Sequence, residues 1–188
     1  RKEVVFTNLR KSFPSKSERE IENIAKQYYQ NLCDLLVENI KLLTISKGEV
    51  QKRFSYKNQA VFHETFNLGS DMIVPIGHCG NWEMAALSAG FELPQQGISF
   101  YRQQTTHHFN KLIKRIRGRF GLQLVADDKT RKLFKHQVDK PRMILFPGDQ
   151  TPSNTEAAHW MEFLNQDTPV HKGTERIAKL INAPVYFG

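Results

Sequence analysis

Beyond residue 70, short apolar runs alternate with stretches of helical period, and this alternation limits what the chain can fold into. Residues 72–76 form an apolar, β-branched run between Asp71 and Gly77, which reads as a buried strand. Residues 81–89 read as a helix and 98–101 as the next strand. Residues 106–120 are helical, with Phe109, Leu112, Ile113, Ile116 and Phe120 on one face. A strand at 122–126, a helix at 129–138, a strand at 143–146, a helix at 173–181 and a strand at 185–187 complete the pattern. Such alternation predicts βαβ units: an α/β fold with a mixed, mostly parallel sheet flanked by helices. In such sheets ligands bind beyond the carboxyl ends of the strands. The loops after Ile76, Tyr101, Ala126 and Phe146 are therefore the places to look for chemistry.

Upstream, Ser17 and Glu20 form an S-x-x-E capping box. It opens a long helix in which Ile21, Ile24, Tyr28, Leu32, Leu35, Leu36, Ile40 and Leu43 recur at helical spacing, ending near Thr44. A short helix or turn covers 49–53. With 188 residues, 39% hydrophobic and 24% charged, the chain is long enough for one domain with its own core. No run approaches the ~18 apolar residues needed to cross a bilayer. The chain begins at Arg1 and ends after the apolar run 184–187, so we expect a fragment of a longer protein, residues 1–188 being a single domain.

Cys33 and Cys79 are the two cysteines, too few for a disulfide framework. No Cys/His spacing resembles a zinc site, and no metal or cofactor is expected. A net charge of +8 favours anionic partners, without choosing among phospholipid, acidic protein and nucleic acid. No helix-turn-helix, RNA-recognition or zinc-finger pattern supports nucleic acid. No G-x-S-x-G motif supports a serine hydrolase.

The loop after Ile76 reads Gly77-His78-Cys79-Gly80-Asn81-Trp82-Glu83. Gly77 and Gly80 permit a tight turn and close approach of substrate. Asn81 is a good helix N-cap, which puts Glu83 in the first turn. On a continuous helix His78 and Glu83 would lie about 140° apart. With His78 in the loop, the imidazole can fold back so that Glu83 accepts a hydrogen bond from one ring nitrogen. The other nitrogen then serves as a base. An isolated H-x4-E pair is more often an ordinary loop histidine and first-turn acid. Here the two glycines and the strand–loop–helix setting favour the catalytic reading.

These residues resemble the bacterial lipid A biosynthesis acyltransferases, the late lauroyl and myristoyl transferases. GHCGNWE is similar to their signature, and the likeness covers almost the whole chain. Asn8-Leu9-Arg10 with Phe13-Pro14, and Glu38, resemble the family's early segments. So do Tyr101-Arg102, Arg115-Ile116-Arg117, Phe120-Gly121 and Asp149-Gln150 further on. Residues 173–184 resemble a later "G…LA…AP" segment, with Ile177-Ala178 in the LA place.

The resemblance implies a glycerolipid-acyltransferase-like fold and a membrane-associated enzyme at the cytoplasmic face of the inner membrane. Its N-terminal membrane helix would precede Arg1. The acyl donor would be acyl carrier protein, and the acceptor a hydroxyl of a lipid A precursor. Related members acylate other membrane lipids.

Under this reading His78 is the base and Glu83 its orienting carboxylate, supported by Gly77, Gly80 and Asn81. Replacing either His78 or Glu83 is expected to abolish transfer while leaving the fold intact. Arg102, Arg115, Arg117, Asp149 and Gln150 are candidates for substrate binding, with the choice between Arg115 and Arg117 open. For Asp149 and Gln150 the alternative is turn chemistry after Pro147-Gly148. Lys111, Lys114, Arg115, Arg117 and Arg119 make one helix basic, a candidate dock for the acidic carrier protein, although for Lys111 and Arg119 a solvated flank is the better reading. The other histidines read as surface or packing residues. Trp160, Met161, Phe163 and Leu164 are expected to form a core strand, with an acyl groove or membrane contact as the alternative. The rival to catalysis is a basic module that holds an anionic lipid without chemistry.

Overall fold

The computed structural model describes residues 2–101, 106–126, 130–134 and 139–187. The chain forms two compact units, residues 1–40 with 150–171 and residues 41–149 with 172–188.

The second unit carries the alternating pattern. Its elements are α3 (Lys47–Arg53), α4 (Gln59–Asn67), β1 (Met72–Ile76), α5 (Trp82–Ala89), β2 (Gln96–Tyr101) and α6 (His107–Arg117). A 3-10 turn (Gly118–Phe120), β3 (Gln123–Ala126), α7 (Thr130–Leu133), β4 (Arg142–Pro147) and α8 (Gly173–Ile181) follow. The four strands form one sheet in the order β1-β4-β2-β3, every pairing parallel. The expected α/β class is therefore observed. Beyond β1, Val185 pairs in parallel with Ile73, and Tyr186 N–H donates to Ile73 O over 2.9 Å. The strand expected at 185–187 is thus a single bridge on the sheet edge. The helix expected at 129–138 lies partly outside the described residues and is seen as α7. The helix α4 carries no sequence signal used above.

Period-2 alternation sends successive strand side chains to opposite faces, and both faces are covered. Met72, Val74, Met143 and Leu145 pack with Phe62 of α4 and with Ala86 and Ala89 of α5. Ile73 and Ile144 pack on the other side with Ile177 of α8 and Ala183. A third cluster joins Val50 of α3, Met84 and Leu87 of α5 and Ile116 of α6. The α5 helix is therefore held from two directions, by the sheet and by the neighbouring helices. Close backbone approach matters at Gly97, where a Cβ would lie 2.5 Å from Ala89 O. The base of the sheet is tied by Arg142, whose side chain pairs with Asp71 and also donates to Leu133 O over 3.0 Å. Asp71 accepts the Arg142 backbone N–H as well, over 2.7 Å.

The first unit contains α1 (Lys2–Ser12), most of α2 (Glu18–Lys41) and the antiparallel hairpin β5 (His159–Phe163) and β6 (Gln166–Val170). The capping box is formed: Ser17 N–H donates to Glu20 over 2.9 Å, and Glu20 N–H donates to Ser17 Oγ over 3.4 Å. Hydrogen bonds from the Ser17 backbone and hydroxyl, with Lys16 beside them, lower the Glu20 carboxyl to about 2. The α2 periodicity yields a helix, but beyond Ala25 its apolar residues do not form a core: Tyr28, Leu32, Leu36 and Ile40 are exposed. The core strand expected around Trp160 is corrected in the same way. Trp160, Met161 and Phe163 lie on β5, whose residues are all exposed. Leu164 and Asn165, at φ 51° and 58°, make the two-residue turn, whose sense matches the twist of a hairpin. Among the described residues no helix is long and apolar enough to cross a membrane.

The Asp71–Arg142 pair is nearly buried, with side chains 13% and 8% exposed. Removing one partner strands the other charge, so Asp71→Ala is expected to lower unfolding free energy by about 3–5 kcal/mol. Urea denaturation of the purified variant measures this.

Candidate active site

The parallel register Ile76↔Pro147 brings the carboxyl ends of β1 and β4 side by side. Gly148 N–H continues the ladder by donating to Ile76 O over 3.2 Å. His78 stands two residues beyond the end of β1, and Asp149 two residues beyond the end of β4. The backbone register alone therefore sets them against each other. His78 N–H donates to Asp149 Oδ2 over 2.6 Å, and His78 Nδ1 lies 2.6 Å from Asp149 Oδ1. Gly77 leaves room for this contact, since a Cβ there would sit 3.4 Å from Asp149 Oδ2.

Partial burial pushes the Asp149 carboxyl up. The hydrogen bonds from the His78 ring and amide outweigh that, and the net shift is downward. An ionised carboxylate only accepts, so Nδ1 carries a proton and the lone pair of the neutral ring belongs to Nε2.

This geometry revises the expected division of labour. The carboxylate on the His78 ring is Asp149, and Glu83 is engaged elsewhere. Glu83 accepts two hydrogen bonds from Arg117 of α6, from Nε to Oε2 over 2.6 Å and from Nη2 to Oε1 over 2.5 Å. The pair is bidentate and largely buried, with side chains 11% and 13% exposed. Asn81 caps α5 as expected, accepting from Met84 N–H over 3.0 Å, and this places Glu83 in the first turn. Gly80 adopts φ +56°, a left-handed turn that glycine takes without strain. Loop and helix start are thus built as the sequence predicts, yet the helix start aims Glu83 at α6.

Trp82, the first residue of α5, contacts both the His78 ring and the Glu83–Arg117 ion pair. Its ring meets the His78 ring edge-on at 4.8 Å between centroids, and the Arg117 guanidinium lies 4.6 Å from the Trp82 ring centre. Contacts of these kinds contribute about 0.5–1.5 kcal/mol for an aromatic pair and ~0.5–2 kcal/mol for a cation on a ring. Nothing in residue spacing singled out Trp82, because its partners come from a loop and from a helix more than thirty residues away.

The remaining candidates separate. Arg117 is the arginine drawn into the site, while Arg115 is exposed on the same helix with Lys111 and Lys114. Gln150 is exposed and belongs to the first unit. Arg102 lies outside the described residues. Cys79 is exposed beside His78.

The family described as bacterial lipid A biosynthesis acyltransferase matches residues 1–186. The chain belongs to this family. Comparison with curated proteins returned no match. Membership makes the chain a lipid A biosynthesis acyltransferase, an enzyme with an acyl donor and a lipid acceptor. The likeness first seen in GHCGNWE therefore extends along almost the whole acyltransferase chain.

Two outcomes follow for this site. Glu83→Ala strands the Arg117 cation, so it is expected to cost about 3–5 kcal/mol of stability and not to leave the fold untouched. A double-mutant cycle with Arg117 in denaturant reads the coupling. For Asp149 the carboxyl lies below its unfolded value, so its contribution to stability is present above that value. It is lost as pH falls through the lowered one. In His78→Ala the Asp149 carboxyl is expected to rise towards the usual range, as followed by carbon NMR titration.

Proposed function

We propose that the chain transfers a fatty acyl group from the thioester of acyl carrier protein to a hydroxyl of a lipid A precursor, with His78 as general base. The observation that carries this reading is the His78–Asp149 pair at the carboxyl end of a parallel sheet in a chain of this family. A hydroxyl is a weak nucleophile, and a positioned base removes its proton as it attacks the thioester carbon. Asp149 holds Nδ1–H and stabilises the imidazolium that forms, the role an aspartate plays in hydrolytic triads, with the substrate hydroxyl in place of an enzyme serine. The carrier-protein thiolate leaves and takes up the proton from His78. Backbone amides around Gly80 are candidate donors to the transient oxyanion.

Glu83 and Arg117 serve this site indirectly, as a buried pair that fixes the start of α5 against α6. Arg115, Lys111 and Lys114 form an exposed basic face on α6, which suits an acidic carrier protein. Arg102 and Gln150 remain candidates for contact with the acceptor. The enzyme is proposed to work at the cytoplasmic face of the inner membrane, where its lipid acceptor is found.

The test uses purified protein, acyl carrier protein loaded with a fatty acid, and a lipid A precursor in detergent. Thiol release dependent on the acceptor, with an acylated lipid by mass spectrometry, is the expected result. His78→Ala is expected to lower turnover by about 10²–10⁴-fold, and Asp149→Ala by a smaller factor. Raised salt increases the apparent KM for the carrier protein if α6 docks it. Binding of the lipid without thiol release would mean a non-catalytic module, and near-normal turnover in His78→Ala would overturn the mechanism.

A further inference from the structure

We infer that Trp82 is a positioning residue, the part through which the Glu83–Arg117 pair holds the His78 imidazole in place. The reasoning starts from the loop. His78 lies in the loop between Gly77 and Gly80, with Gly80 in the left-handed region, and its backbone N–H is anchored on Asp149 Oδ2. Asp149 holds one edge of the imidazole through Nδ1. The Trp82 ring meets the imidazole edge-on, with 4.8 Å between centroids, and so bears on the same ring from another side.

Trp82 can do this because it stands on rigid structure. It is the first residue of α5, whose start is capped by Asn81 and whose body packs on the sheet. Its ring also carries the Arg117 guanidinium at 4.6 Å, and that guanidinium is locked by two hydrogen bonds to Glu83. Glu83 is the residue next to Trp82, so the arrangement closes on itself: carboxylate to guanidinium, guanidinium to indole, indole to imidazole. The indole has the area to meet both partners at once. A residue that only filled space would have no reason to link the proposed base to a buried ion pair.

The contact can be read without any substrate. Trp160 is the one other tryptophan and lies on the exposed hairpin, so Trp160→Phe leaves Trp82 as the sole indole. Indole emission and near-ultraviolet circular dichroism depend on the rings in contact with the indole, so adding His78→Ala to Trp160→Phe is expected to change the fluorescence and near-ultraviolet spectra of Trp82. Spectra unchanged by His78→Ala overturn the contact.

The catalytic arm rests on the acyl-transfer reading. Misplacing a base by about 1 Å costs on the order of 100-fold in rate, so Trp82→Leu is expected to lower kcat by about that factor with KM little changed. Trp82→Phe keeps a ring in place and restores most of the activity. A raised KM with normal kcat would show that Trp82 lines the substrate pocket, and unchanged kinetics in folded Trp82→Leu would also sink the role. If Trp82→Leu does not fold, the spectral comparison with His78→Ala and Trp82→Phe decide: an Asp149→Ala-sized loss of kcat in folded Trp82→Phe counts against ring-based positioning. Failure of acyl transfer in the parent protein would overturn the proposed reaction while leaving the fluorescence result standing.

Discussion

The pairing of β1 with β4 is the constraint on which the site depends. Main-chain hydrogen bonds set Ile76 opposite Pro147, and each strand then runs two residues further before its functional side chain. Parallel register is specified by the burial of alternate residues, since a slip of one position would send Met72 and Val74 to the wrong face. The same burial that makes the core therefore fixes the distance between His78 and Asp149, residues 71 apart in the chain. Core packing and site geometry are one property of this sheet.

Around that pair the site divides its charges. Two carboxylates and one guanidinium lie near His78, and each carboxylate has its own task. Asp149 is partly exposed and meets the imidazole, which keeps it ionised despite some burial. Glu83 is buried and would be costly without a partner, and Arg117 meets that need with two hydrogen bonds. An acid in the first turn of a helix is favoured by the dipole whatever it pairs with, so the helix start alone leaves its partner undecided. The packing of α6 on α5 decides it.

Amphipathic pattern served well where both faces of an element had a place to go. The strands expected at 72–76 and 98–101 and the helices expected at 106–120 and 173–181 are formed, the first of these helices as α6 and the 3-10 turn. Ile116 and Ile177 are buried where their spacing puts them, while Leu112 on the same α6 stripe stays exposed. It served less well in the first unit. The α2 residues Tyr28, Leu32, Leu36 and Ile40 have helical spacing and form a helix, yet they remain exposed. Trp160, Met161 and Phe163 form a strand, but an exposed one. Periodicity specifies which residues share a face, and says nothing about what meets that face.

The sequence by itself determined the strand–loop–helix unit around His78, the tight turn that Gly77 and Gly80 permit, the cap at Asn81 and the mostly parallel α/β class. These rest on interactions between residues a few positions apart, whose geometry the backbone dictates. The tertiary structure decided which carboxylate faces the imidazole, which arginine is drawn in, and that Trp82 touches both. Those contacts join residues from separate elements, brought together by strand register and by the packing of one helix on another. Spacing along the chain carries no measure of either.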